Sequence, residues 1–225
     1  MVERSTLTRL ARLTEDQWGL LTRRQAERAS VSPATLQRLA TQGVLRRVAH
    51  GVYLLAGAPA PDLVDLRAAW LQLAPETPAW ERSPEQGVAS FRSAAALYDL
   101  GHLPADRHDF TLPVRRQSRR PDVRLHKQRL ERADVRSVRG LLVTRPSRIA
   151  GDLLNDLEDP EAVGRVIVDG LREGHEAPEA FASSLRDSAV RYGFRGGDGA
   201  AVLRWLLDLV GDPESGGRVR EVRAQ

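Results

Sequence analysis

Hydrophobic positions near the start of the chain recur with helical spacing and are punctuated by hydroxyl residues able to cap. Thr14 with Gln17 and Thr22 with Gln25 each place a hydroxyl three residues ahead of an amide, the spacing at which both side chains satisfy backbone N–H groups at a helix start. They predict one helix beginning after Thr14 and a second from Arg23 to about Arg28. Ser32 followed by Pro33 pairs a cap with the helical position that tolerates a missing N–H, so a third helix runs from Pro33 to Gln42. Leu36, Leu39 and Ala40 lie at i, i+3, i+4 and face inward, while Thr35, Gln37, Arg38 and Thr41 fall largely on the other side. Gly43 ends that helix. The period then changes: Val44 to Val48 and Val52 to Leu55 are β-rich runs around the turn Ala49-His50-Gly51, which reads as a hairpin.

Helix, tight turn, helix and hairpin is the order of a winged helix-turn-helix, whose second helix enters the major groove while the wing lies along the backbone. A trihelical scaffold with a hairpin also serves as a protein-interaction module, but the exposed Thr, Gln and Arg side chains suit base edges. The candidate DNA-binding residues are Arg23, Ser32, Thr35, Gln37, Arg38, Thr41, Arg46, Arg47 and His50, with Arg46 and Arg47 on the wing suited to phosphates.

Pro59-Ala60-Pro61 marks a boundary, after which Asp62 is placed to cap a helix carrying Leu63, Leu66, Trp70, Leu71 and Leu73. Pro75 to Pro84 reads as a loop. Val88-Ala89 reads as a short strand entering Ser90, the expected cap of a helix that stops at Gly101. Strand-like runs follow at Asp109–Leu112, Val123–His126 and Leu141–Val143. The remainder is helical: one helix starting at Thr144 or Ser147, one from Asp159-Pro160 to Gly174, one from Pro178 to Tyr192 with Phe181, Leu185 and Val190 as its apolar stripe, and one from Asp198 to Val210. The tail from Asp212 is expected to be mobile. The fold class is therefore α+β: a winged helix-turn-helix over residues 1–58, then a larger mixed α+β domain over residues 59–225 that ends in helices.

Composition narrows the function. The chain has no cysteine, which excludes disulfides, cysteine-ligated zinc and thiol nucleophiles. No apolar stretch is long enough to cross a bilayer, and the segment Met1 to Leu13 lacks a signal-peptide core, so the expectation is a cytoplasmic protein with no membrane partner. Net charge is +4, yet the cations cluster in residues 1–58 and 107–150, and the other two stretches are acidic. Clustered positive charge suits a polyanion. All but one of the 34 basic residues are arginine, which is equally the mark of GC-rich coding. Arg115, Arg116, Arg119 and Arg120 form a dense group that reads either as a solvated loop or as a second basic surface for phosphates, RNA or an acidic protein.

The stretch LLTRRQAERASVSPATLQRLATQGVLRRVAHGVYLL, residues 20–55, resembles the N-terminal domain of AbiEi-type antitoxins of type IV toxin–antitoxin systems. It shares Thr22-x-x-Gln25-Ala26, Val31-Ser32, Gly43-Val-Leu-Arg-Arg47 and Gly51-Val-Tyr53. One departure is Ser30, where the family usually has glycine, which predicts a slightly strained turn. The stretches VASFRSAAALYDLGHLP, DFTLP, VRLHKQRLERADV and GLLVTRPSRIAGDLL extend the resemblance to about residue 157. The resemblance implies an autorepressor that binds double-stranded operator DNA with inverted repeats. It also implies an antitoxin that counters a nucleotidyltransferase toxin without a stable complex.

Two other classes stay open: a stand-alone winged-helix regulator whose second domain binds a ligand or dimerises, and a nucleic-acid-processing enzyme. Against catalysis, the five histidines show no metal-ligand spacing, and His102, His108 and Asp109 read as isolated residues rather than a metal site. The only lysine, Lys127, has no acid two residues before it, as a Mg²⁺ nuclease of the expected kind requires. Arg195-Gly196-Gly197-Asp198-Gly199 reads as a loop and cap rather than a phosphate cradle. No cofactor or metal is expected.

Overall fold

The computed structural model describes residues 2–211, with side-chain surroundings from Thr6 onward. The tail from Asp212 lies outside the described residues. The fold is mixed α+β, and its first part is a winged helix-turn-helix: α1 (Val2–Glu15), β1 (Leu20–Thr22), α2 (Arg23–Arg28), α3 (Pro33–Thr41), β2 (Leu45–Ala49) and β3 (Val52–Leu55). The three strands form an antiparallel sheet in the order β1-β3-β2. Leu10, Leu21, Ala26, Val31, Leu36, Leu39 and Leu45 close one core between that sheet and the helices.

The local signals act as expected at α2 and α3. The Thr22 hydroxyl accepts from Gln25 N while the Gln25 amide accepts from Thr22 N, and Ser32 caps Thr35 N ahead of Pro33. The Thr14 and Gln17 pair behaves differently. Leu7, Leu10 and Leu13 continue a helical period that begins at the N-terminus, so Thr14 sits in the last turn of α1, where its hydroxyl donates to Ala11 O (3.0 Å). A helix therefore ends where one was expected to begin. Ser30 has φ +60°, the left-handed conformation that the missing glycine would adopt without cost.

The second part comprises α4 (Val64–Leu73), β4 (Val88–Ala89), α5 (Phe91–Tyr98), β5 (His108–Leu112), β6 (Val123–Lys127), β7 (Val135–Val138), β8 (Leu141–Thr144), α6 (Pro146–Asn155), α7 (Pro160–Arg172), α8 (Pro178–Ser184) and α9 (Gly199–Val210). Its sheet runs β6-β5-β4-β8-β7, with β5–β6 and β4–β8 parallel and the other two pairs antiparallel. Helices α6 to α9 pack closely through glycine: a Cβ on Gly164 of α7 would lie 2.6 Å from Leu206 O of α9.

Several expected helix starts are made by other means. Asp62 does not cap α4; its carboxylate holds Arg67 (2.7 Å) and Arg139 (2.6 Å), and the cap position is Leu63. The Ser90 hydroxyl accepts from Thr111 Oγ1 instead of capping α5 (2.9 Å). Neither Thr144 nor Ser147 caps α6. Glu176, far along the chain, accepts from Ser147 N (2.5 Å) and pairs with Arg145 (3.1 Å). The single helix expected over 178–192 breaks after Ser184 into short 3₁₀ turns, which leaves Val190 70% exposed while Phe181 and Leu185 stay buried.

The winged part is joined to the rest by a polar knot. The Gln17 and Gln25 amides bond to each other reciprocally (2.8 and 3.0 Å). Gln17 also donates to Leu20 O (2.9 Å) and accepts from Ala79 N (2.9 Å), while Gln25 also donates to Thr77 O (3.1 Å) and accepts from Thr22 N (2.9 Å). The Thr22 hydroxyl donates to Pro75 O. Arg82 holds the same loop from the other side: it donates to the carbonyls of Trp70, Leu71 and Ala74 at the end of α4 and stacks on Trp70. Burial pushes its pKa down to about 10, so it stays charged at neutral pH. Leu20, Val52 and Leu54 on the outer sheet face enter the same hydrophobic cluster as Trp70 and the second sheet.

Gln25→Ala should destabilise the protein by about 2–4 kcal/mol, because it strands several buried polar groups at once; denaturant unfolding measures this. Ser30→Gly should stabilise it by about 0.5–1 kcal/mol, because the left-handed strain on a residue with a Cβ exceeds the entropic cost of glycine. A melting temperature at or below that of the wild type would refute this.

Candidate nucleic-acid interface

The Ser32 cap and the Gly43 turn (φ +75°) set α3 at the surface with its apolar side on the core. Its outer side presents Gln37, Arg38 and Thr41, all exposed, and Thr35 is half-buried. Ser32 is exposed but engaged locally, its hydroxyl 2.9 Å from Thr35 Oγ1. Thr41 donates to Gln37 O (3.1 Å), and Arg38 Nη1 lies 3.5 Å from Gln42 Oε1.

Beside α3 the wing closes a concave groove of about 440 Å³ lined by Gln37, Thr41, Arg46 and Arg47 over a floor of Leu45 and Tyr53. Four of the nine candidate residues are thus brought together in one groove, and Ser32, Thr35 and Arg38 stand on the same short helix. Arg46 and Arg47 are both exposed. Arg47 is held in place by the wing turn, with Nη2 3.1 Å from His50 Nδ1 and Nε 3.4 Å from Ala49 O.

Arg23 and His50 line a different recess. A cleft of about 670 Å³ lies between the wing turn and residues 113–122, the crossover that joins the parallel strands β5 and β6. Arg23, Arg24, His50, Arg116, Arg119 and Arg120 line it. The basic group at 115–120 is therefore divided. Arg116 donates to Leu73 O (2.5 Å), and Arg120 pairs with Asp122 and donates to Gln72 Oε1 (2.6 Å); these two point inward onto α4. Arg115, Arg116 and Arg119 are all exposed, and Arg120 is half-buried. Arg23 and Arg24 both bond Glu27, which holds the Glu27 carboxyl below its ordinary pKa through the Arg23 hydrogen bond first.

Among the polar residues of this lining, Arg24 and Gln72 are not candidates along the chain. Arg24 adjoins a residue already chosen and could have been found from that repeat. Gln72 sits on an apolar helix, and nothing along the chain marks it.

His102, His108 and Asp109 do not gather. Asp109 Oδ1 is 2.7 Å from His126 Nε2, His126 stacks on Phe91, and His108 faces Asp122 at 3.8 Å. Burial lowers the His108 pKa below its ordinary value, against the opposing pull of Asp122. Among the described residues no three His, Asp or Glu side chains converge as metal ligands, and no helix is long and apolar enough to cross a membrane.

Residues 8–56 match the family described as a transcriptional regulator, the AbiEi antitoxin. The matched segment runs from within α1 through β3, so it includes the sheet, α3 and the wing. The resemblance read in residues 20–55 is borne out; its continuation to about residue 157 lies outside that match. No curated protein matches the chain.

Proposed function

We propose that the protein is a cytoplasmic transcriptional autorepressor and antitoxin of a type IV system. Residues 1–58 read double-stranded operator DNA with inverted repeats, and residues 59–225 counter a nucleotidyltransferase toxin without a stable complex. One observation carries the DNA reading: within a segment that matches a transcriptional-regulator family, Gln37 and Thr41 of α3 share a single groove with Arg46 and Arg47 of the wing, and Arg38 stands exposed on the same helix. A recognition helix places side chains of this kind against base edges, and an adjacent wing sets its cations on phosphates.

In this reading Gln37, Arg38 and Thr41 carry sequence preference, with Ser32 and Thr35 at the start of the same helix. Arg46 and Arg47 carry affinity that is independent of sequence, and Arg23 and His50 contribute at the margin. No catalytic step is assigned. The antitoxin half rests on the family match and the resemblance beyond it; co-expression of the full chain with a nucleotidyltransferase encoded beside it, scored as growth rescue, tests that half separately from DNA binding.

Arg38→Ala should weaken binding to the protein's own promoter fragment by about 1–3 kcal/mol and relax preference at one base position, as loss of a bidentate base contact does. Equal titration curves for both proteins at fixed salt would remove Arg38 from the interface. Arg46→Ala should weaken specific and nonspecific duplexes alike and lower the slope of log K against log salt by about 1; an unchanged slope would take Arg46 off the phosphates.

A further inference from the structure

The cleft between the wing turn and the crossover is joined to the α3 groove by an unbroken chain of contacts. Arg120 Nη1 donates to Gln72 Oε1 (2.6 Å), Gln72 Nε2 donates to His50 O (2.7 Å), and His50 Nδ1 lies 3.1 Å from Arg47 Nη2 in the groove beside α3. One amide, Gln72, thus ties the cationic wall of the cleft to the wing turn, and the same turn residue orients an arginine of the candidate DNA surface.

The chemistry of the cleft is one-sided. Five arginines and His50 line it, and no carboxylate does among the described residues. Glu27 and Asp122, outside the lining, offset Arg23, Arg24 and Arg120. Arg116 is bonded only to a neutral carbonyl, and Arg119 has no hydrogen bond or ion pair among the described residues, so positive charge is left over where the cleft opens. The apolar part of the lining that faces the cleft is Val123 and Leu125, half-buried, over the buried side chains of Val52, Ala69 and Leu73. A volume of about 670 Å³ falls within the range of small-molecule sites, and a cationic rim over an apolar floor suits a ligand with a phosphate group on an apolar, ring-bearing body. A duplex backbone would engage the rim alone and leave the floor empty.

We propose that this cleft is an effector site for a nucleoside phosphate, and that occupancy changes operator affinity by moving the Arg120–Gln72–His50–Arg47 chain. A phosphate placed against Arg116 and Arg119 draws Arg120 away from Gln72 Oε1; the amide, no longer held on that side, turns, loosens its hold on the carbonyl of His50 and shifts the wing. Coupling of this kind is reciprocal, so operator DNA changes nucleotide affinity by the same factor. The coupling rests on the operator-binding reading above; the ligand site does not.

The test uses the full-length protein and isothermal titration with ATP, GTP, CTP and UTP, with inorganic pyrophosphate as the probe that lacks a base. At least one nucleotide should bind ten-fold or more tightly than pyrophosphate, and Arg119→Ala, whose side chain has no partner to lose among the described residues, should weaken that binding about ten-fold. Arg116→Ala serves as the second variant. Saturating nucleotide should change operator affinity about five-fold or more, and Gln72→Leu, compared with and without saturating nucleotide, should lose that change. No nucleotide bound better than pyrophosphate, or Arg119→Ala binding like the wild type, would overturn the site. Weakened operator binding by Arg119→Ala with a lower salt slope and no nucleotide bound would overturn it too, and make the cleft a surface for duplex phosphates. Nucleotide binding that depends on Arg119 but leaves operator affinity unchanged would keep the site and overturn the coupling. Loss of operator binding under all conditions, with nucleotide binding intact, would instead count against the DNA reading.

Discussion

Two buried amides, Gln17 and Gln25, hold the winged part of the molecule in its place. Each uses both N–H groups and both oxygen lone pairs: on the other amide, on the backbone of the first strand, and on the loop at 77–79. An amide buried without partners costs about 1–3 kcal/mol per stranded group, whereas a saturated pair is specific because its geometry admits one arrangement. The pair therefore sets the position of the loop, the loop positions the end of α4, and α4 carries Gln72 to the underside of the wing turn. Apolar contact alone would allow the sheet to slide over α4, since burial has no direction.

That arrangement gives the wing two different faces. Tyr53 and Leu45 belong to the core beneath α3, whereas Val52 and Leu54 pack with Trp70 and the second sheet. Period-two alternation in one hairpin thus serves both parts of the molecule, and the wing is not a free flap. Its turn is fixed by Gln72 on one side and by the internal contact of Arg47 with His50 on the other. A wing held this way presents its arginines at a defined distance from α3, which favours recognition because little ordering entropy remains to be lost on binding.

The basic crossover follows from sheet topology. Parallel neighbours such as β5 and β6 cannot be joined by a tight turn; the chain must travel back along the sheet before it pairs again. The stretch that makes this return holds the arginine group, and it comes back beside α4, opposite the wing turn. Solvation alone would leave all four arginines pointing outward. Instead Arg116 and Arg120 satisfy a helix-end carbonyl and the side chain of Gln72, although Arg116, like Arg115 and Arg119, keeps much of its surface exposed.

Along the chain, the elements that could be read were those whose backbone partners lie within three or four residues. The caps of α2 and α3, the Pro33 start, the Gly43 stop and the Ala49-His50-Gly51 turn satisfy their N–H groups locally, so sequence determined the helix-turn-helix, the wing and the polar face of α3. That Ser30 would occupy a conformation suited to glycine came from the resemblance to the family, which usually has glycine there. What depends on distant partners was decided only by tertiary structure. Thr14 and Gln17 have the spacing of a helix start, but the leucine period before them ends a helix there and leaves Gln17 to pair with Gln25. The cap of α6 comes from Glu176, and β7, with the polar residues Arg136 and Ser137, becomes a strand only because β8 offers it an edge. The division of the candidate residues between a groove and a cleft has the same origin: both are surfaces of the packed molecule, and Gln72, which links them, is marked by nothing but its position in space.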